Sequence, residues 1–286
     1  MSTVGRSRAR ILGAMFQGGG NVSLILPVLA ELAARGHAVR VVVGPGIRRS
    51  RLPVNADLLS RLADAGAEVL SLHGPATHPL DAEPRIRGVV LGWTPGPFRG
   101  APAEALTSLW APAWAEGVTA ELRRAPADLV VADFMLQGAL AAAEAARIPS
   151  IALAHTVLLR PIPGIPPYGP GWAPAVGPLG RFRDALGRGI VERIHRRDGL
   201  PALNRARAAL GLAPMRLAFE QLDGAARVLV LAASAFDFPA RRDAPANLCY
   251  VGSPLDDVTV LPWMPPWPPG DSRQLVVVVA RARRQA

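Results

Sequence analysis

The stretch MFQGGGNVSLILPV, residues 15–28, decides the fold. An apolar run, ARILGAMF at 9–16, enters it, and Gly18, Gly19 and Gly20 lead the chain into VSLILPVLAELAARG at 22–36. In that second run Val22, Ile25, Leu26, Leu29 and Leu32 recur at the period of a helix with one buried face. Gly36 supplies its stop. Strand, glycine turn and helix make the opening of a βαβ unit, and glycines at such a turn let a ligand approach the backbone closely. Asn21 stands where the turn becomes the helix.

The same unit recurs along the chain. HAVRVVVG (37–44) reads as a strand, NADLLSRLADAG (55–66) as a helix and AEVLSL (67–72) as a strand. A helical stretch from about Pro102 to Arg124 precedes ADLVVAD (127–133), a strand, GALAAAEAARI (138–148), a helix, and SIALAH (150–155), a strand. Helices are expected over about 179–223, then strands at ARVLVLA (226–232) and NLCYVG (247–252). Apolar strands joined by helices imply parallel strands buried on both faces. The expectation is an α/β, Rossmann-like doubly wound sheet over residues 8–252 with an added helical segment. Two Pro- and Gly-rich segments, 73–100 and 158–180, interrupt the pattern. They leave the carboxyl ends of strands, where open α/β sheets bind ligands.

Half of the 286 residues are hydrophobic, enough for a substantial core. The formal net charge is +10, and all of the basic charge is Arg. Arg is spread among Ala, Pro and Gly, and its clusters GIRRSR and ARARRQA are short and lack interleaved aromatics. Nucleic acid is therefore not the expected partner. A single Cys, Cys249, excludes an internal disulfide framework and a multi-cysteine metal site and fits a cytoplasmic setting. No apolar stretch reaches the roughly 18–20 residues that cross a bilayer.

The C-terminal region is unusual. Residues 253–273, SPLDDVTVLPWMPPWPPGDSR, read as an extended interdomain linker. After it come QLVVVV (274–279) and the basic ARARRQA (280–286). A lone parallel strand cannot hide its faces or satisfy its edges. Either 274–279 adds to the edge of the main sheet, or 274–286 is the first strand of a missing domain plus a basic tail; truncation is the expectation.

The glycine loop is not a dinucleotide fingerprint. Gly18 and Gly20 fit G-x-G-x-x-G, but Ser23 takes the third position, and the second strand ends in VVVGPG without the carboxylate that would hold a ribose. A Walker A loop needs a Lys, and the chain has none.

Several segments taken in order carry a resemblance: GGGNVSLILPVLAELAARGHAVRVVVGP, ADLVVADFMLQGALAAAEAARIPSIALAHT, ALNRARAALGL, LVLAASAFDFP and NLCYVGSPLDD with PWMPPWP. From about residue 8 to 279 the chain resembles the N-terminal, acceptor-binding half of GT-B fold, family-1-like glycosyltransferases of the actinobacterial natural-product type. That resemblance implies two Rossmann-like domains facing across a cleft, with a UDP- or dTDP-linked sugar in the C-terminal one. It assigns 253–273 to the interdomain linker and RQLVVVV to the first donor-domain strand. The donor domain's diphosphate motif has no counterpart here.

The family's inverting chemistry implies a base that deprotonates an acceptor hydroxyl, which attacks the anomeric carbon and expels the nucleoside diphosphate. The usual base is a His in the first loop, oriented by an Asp at the end of the fourth strand. Here Asn21 stands at the His position and Asp133 at the Asp position. Asn cannot take the proton at neutral pH; it can orient a hydroxyl or cap the helix. Asp133 is a catalytic candidate or a loop carboxylate. His155, which also ends a strand, is an acceptor-side candidate and the substitute base to test, or a satisfied structural residue. Gly19, Gly20, Trp93, Phe98 and Tyr168 are acceptor-binding candidates. The aromatics, with Trp110, Trp114 and Trp172, line an apolar pocket or pack beneath the long loops. His37 looks structural, and His73 and His78 lack a carboxylate partner, so no metal is assigned.

Three functions follow. The first is hexosyl transfer from a nucleotide-diphosphate sugar to a small, lipophilic acceptor hydroxyl, with no resident cofactor and with this chain inactive alone. The second is a non-catalytic binding module or pseudoenzyme partner of a full-length transferase. The third, a nucleotide-binding dehydrogenase domain, is disfavoured by Ser23 and the missing carboxylate.

Overall fold

A computed structural model describes residues 8–16, 21–44, 56–72, 108–160, 162–168, 170–217, 219–237 and 244–254. They lie within the compact unit Met1–Asp256. In chain order the elements are β1 (Arg10–Phe16), α1 (Asn21–Ala34), β2 (Ala38–Gly44), α2 (Ala56–Asp64), β3 (Glu68–Ser71), α3 (Ala111–Arg124), β4 (Leu129–Asp133), α4 (Gln137–Ala145), β5 (Ser150–Ala154), α5 (Gly177–Asp198), α6 (Leu200–Ala209), β6 (Arg227–Val230) and β7 (Leu248–Tyr250). Short 3-10 turns span Glu220–Gly224 and Ser234–Phe236.

The strands form one sheet in the order β3-β2-β1-β4-β5-β6-β7. Every pairing is parallel, with Gly13 opposite Val41 on one side and Val131 on the other. The strands divide their side chains between two cores. Ile11, Met15, Val39, Val41, Val43 and Leu153 pack against α1 through Ile25, Leu26 and Leu29. Leu12, Ala14, Phe16, Val130, Ala132 and Ala154 pack on the other face against Trp114 and Val118 of α3 and Leu140 of α4. Each large apolar side chain so buried contributes about 1.5–3 kcal/mol. This is the doubly wound sheet that the sequence predicts. Gly13 packs closely under α1: a Cβ there would stand 3.0 Å from the Leu29 side chain, which would have to shift slightly.

The helices expected over about 179–223 are α5 and α6, which stop short of its end. After α6, Gly211 takes a left-handed φ of +73°, and Leu212 N–H donates to the Arg207 carbonyl at 2.9 Å, closing the helix end. The next regular piece is the 3-10 turn at Glu220–Gly224. Trp110 and Trp114 belong to the core on the α3–α4 face of the sheet, at 5% and 1% exposure. Among the described residues no helix is long and apolar enough to cross a membrane.

Candidate functional site

The strand order reverses its direction of winding between β1 and β4, the switch point beyond whose strand ends open α/β sheets bind ligands. Asn21, Asp133 and His155 converge there. Asp133 is the last residue of β4 and is fully buried. Its Oδ1 accepts the Met135 N–H at 2.9 Å, a local turn that fixes the carboxylate's orientation. Asn21, the first residue of α1, is 2% exposed. Its Nδ2 donates to the Phe16 carbonyl at 2.9 Å and to Asp133 Oδ2 at 3.4 Å, tying the end of β1 to the end of β4.

The Asn21 Oδ1 is buried and accepts no hydrogen bond. An N-cap works through that oxygen, by accepting a backbone N–H of the first helical turn. The capping bond is not made, and the side chain points back to the strand ends instead.

His155 follows the last residue of β5. Its Nδ1 lies 3.2 Å from Asp133 Oδ2, with 12% of the side chain exposed. The separation is that of an ion pair, but Nδ1 makes no hydrogen bond of acceptable direction. The two atoms are close, but the contact is not a directed hydrogen bond. Phe134 meets the imidazole edge to face at 5.4 Å and Phe16 at 6.4 Å, so the ring is walled on two sides. The three residues leave two buried polar atoms, Asn21 Oδ1 and His155 Nδ1, without a hydrogen-bond partner. Such atoms are rare in folded proteins and mark strain, a functional group or a ligand position.

Of the other candidates, Gly19, Gly20, Trp93 and Phe98 lie outside the described residues. Tyr168 sits on the β5–α5 connection that His155 begins, with 46% exposure. Trp172, on the same connection, carries the Arg183 guanidinium of α5 over its ring at 4.9 Å. His37 accepts the Ala9 N–H at 3.3 Å, a structural role. Among the described residues no group of three or more His, Cys, Asp or Glu is placed to hold a metal.

Asp237 is a residue the sequence did not single out. It accepts the Leu158 N–H at 2.9 Å and the Tyr250 hydroxyl at 2.7 Å, pinning the connection just beyond His155 to the end of β7. Burial, and then the Asp237 hydrogen bond, push the Tyr250 hydroxyl's pKa up, so it stays a donor. Gln137, at the start of α4, is also 2% exposed with an unpartnered Oε1. Neither had a sequence signal, because an Asp after a loop and a Gln opening a helix are ordinary in both roles.

No family model matches the chain. The 4'-demethylrebeccamycin synthase of Lentzea aerocolonigenes is 27% identical over 269 residues, which cover 91% of this chain and 58% of that protein. The solved glycotransferase of kitacinnamycin superposes with a TM-score of 0.58 at 16% identity, over 91% of this chain and 55% of its own. CalG4, the calicheamicin glycosyltransferase, gives 0.54 at 19% identity, over 92% and 56%. The chain thus spans just over half the length of each. Over nearly all its residues it is similar to one half of GT-B glycosyltransferases of the actinobacterial natural-product type, and its parallel sheet is the Rossmann-like N-terminal domain of that fold.

Proposed function

We propose that the crevice at Asn21, Asp133 and His155 is the acceptor side of an inverting, nucleotide-sugar-dependent glycosyl transfer. His155 takes the proton of a small lipophilic acceptor's hydroxyl. The acceptor oxygen forms its bond to the anomeric carbon as the bond to the nucleoside diphosphate breaks on the opposite face. Asp133 holds and electrostatically supports the imidazolium that forms, and Asn21 keeps Asp133 in place. The sugar nucleotide belongs to a donor domain corresponding to the portion of the relatives that this chain does not match, so these 286 residues bind acceptor and do not transfer alone. The reading involves no resident cofactor. Its carrying observation is the approach of His155 Nδ1 to the buried Asp133 Oδ2 at 3.2 Å, beside the Asn21 amide, at the strand ends.

Calorimetry on the chain tests this, with 4-methylumbelliferone as a lipophilic hydroxyl probe and UDP- and dTDP-glucose as donors. The phenol binds, His155→Phe weakens it at least about tenfold, or about 1.4 kcal/mol, and neither nucleotide sugar binds. Tight nucleotide-sugar binding, or phenol binding indifferent to His155→Phe, refutes it.

One observation favours a second reading, a non-catalytic small-molecule module: the position at which the resembled family keeps its base is an Asn that takes no proton. It predicts the same phenol binding. It also predicts no turnover when the chain is fused to the donor half of a relative.

A further inference from the structure

A cavity of about 640 Å³, open to solvent, lies where α6 meets the segment that follows it. Leu200, Pro201 and Asn204 of α6 line one side, and Met215, Arg216 and Leu217 another, with Arg196 of α5 and Glu220 completing the lining. A volume of this size is that of a small-molecule site. None of Asn21, Asp133 and His155 contributes to it.

The walls are held by hydrogen bonds that need no ligand. Asn204 grips both backbone groups of Met215: its Oδ1 accepts the N–H at 2.8 Å, and its Nδ2 donates to the carbonyl at 3.0 Å. One turn on, Arg207 Nε donates to the Ala213 carbonyl at 2.6 Å. Glu220 Oε2 accepts the N–H groups of Arg216 and Leu217 at 2.6 and 2.9 Å. Side chains from α6 and from the 3-10 turn thus fix the backbone between them. A site so preformed loses little conformational freedom when it is filled.

The lining has two chemistries. Leu200, Pro201, Met215 and Leu217 offer apolar surface, and Leu217 is 47% exposed while nothing fills the space beside it. Arg196 and Arg216 are the cations of the lining, and among the described residues neither guanidinium has a carboxylate partner. Glu220 is the one carboxylate there, and its Oε2 already serves two backbone N–H groups. Two arginines against one glutamate leave the lining net positive, which opposes a cation. A neutral apolar molecule would use the hydrophobic lining and leave both guanidinium groups to water. The planar fork of N–H donors on each matches a carboxylate.

We propose that this cavity is a second ligand site, for a small amphipathic carboxylate. The apolar body lies against Leu200, Pro201, Met215 and Leu217, and the carboxylate accepts hydrogen bonds from Arg196 and Arg216. Binding is reversible and forms no covalent bond. The inference stands apart from sugar transfer, because it uses none of the residues assigned to that reaction.

Calorimetry on the full chain tests this, with decanoate as the probe, kept below its micelle concentration, and 1-decanol and inorganic phosphate as comparisons. Decanoate binds once per chain, 1-decanol binds about tenfold more weakly, and phosphate does not displace decanoate. Arg196→Gln with Arg216→Gln weakens decanoate by about threefold for each arginine, the scale of exposed ion pairs, and leaves 1-decanol unchanged. Leu217→Asp weakens both ligands. All three are surface changes, checked by an unaltered circular dichroism spectrum. The phenol probe of the acceptor site, 4-methylumbelliferone, does not displace decanoate, so this proposal and the acceptor reading fail separately. Four results overturn it: no binding of decanoate, equal binding of 1-decanol, decanoate binding indifferent to the arginine pair, or displacement of decanoate by phosphate or by 4-methylumbelliferone.

Discussion

Replacing Arg207 by Met removes a buried polar junction that ties three elements together. Arg207, on α6, is 3% exposed. Its Nη1 and Nη2 donate to the two Glu144 oxygens at 2.7 and 3.0 Å, Nη1 also donates to Gln221 Oε1 at 2.5 Å, and Nε donates to the Ala213 carbonyl at 2.6 Å. Gln221 Nε2 in turn donates to Glu144 Oε2 at 2.7 Å. Three elements meet there: α4, α6 and the 3-10 turn before β6. Met fills much of the Arg stem's volume, so the cost is polar. Gln221 Oε1, on a residue 1% exposed, loses its donor, for about 1–3 kcal/mol. Glu144 loses a bidentate partner but keeps one-third exposure, so solvent screening holds that loss to about 1–2 kcal/mol. The expected destabilisation is about 3 kcal/mol, or about 6–12 °C in Tm for a domain of this size.

A pH signature separates this from a mere packing defect. The Arg207 hydrogen bonds hold the Glu144 carboxyl below the usual range, against burial, which raises it. A depressed folded pKa gives stability that is present above the unfolded pKa and lost as pH falls through the folded one. The gap between wild type and Arg207→Met in urea denaturation therefore narrows on going from about pH 7 to about pH 3. A variant within about 1 kcal/mol of wild type at neutral pH, or a gap constant with pH, refutes the reasoning.

Gly138→Ala on α4 places a Cβ 2.0 Å from the Ala111 carbonyl oxygen, a backbone atom of α3 that cannot rotate away. Separating the two helices costs about 2–3 kcal/mol by thermal denaturation; a neutral variant means that α3 and α4 pack differently. Asp128 is exposed and takes two side-chain hydrogen bonds and one backbone N–H from Arg10, which draw its pKa down to about 2. Its contribution persists above the unfolded value and disappears only as pH falls through about 2. Arg10→Ala should leave the neutral-pH Tm nearly unchanged while raising the Asp128 carboxyl in an NMR titration; an unmoved carboxyl refutes the pairing.

The sheet was legible because its strands are buried on both faces, and two-sided burial leaves unbroken apolar runs such as LVVA and VVV. The end of α6 is written in LGLAP, where Gly211 takes a left-handed φ and Pro214 follows, although the apolar rhythm of the next residues suggests more helix. Asn21 and Asp133 were found through order and resemblance. Their contact joins residues 112 apart in sequence, and periodicity carries no information on that.

The geometry of Asp133 gives the Asn21 substitution a physical sense. β4 is hydrogen-bonded to β1 on one side and β5 on the other, so a carboxylate at its end stands between the two neighbouring strand ends. It can orient a base delivered from either. In the resembled family the base comes from the β1 side; here that side delivers Asn21, an amide that donates to Asp133 and does not titrate. The β5 side delivers His155, 3.2 Å from the same carboxylate oxygen. A base on β5 therefore needs no movement of the carboxylate. A His at both positions would put two imidazoles on one oxygen, in competition for the carboxylate that must stabilise the imidazolium. With Asn21 as a fixed donor, the Asp133 carboxylate has one imidazole beside it, that of His155. In the proposed reading, Asn21 is thus what leaves His155 unrivalled as the group that takes the acceptor's proton.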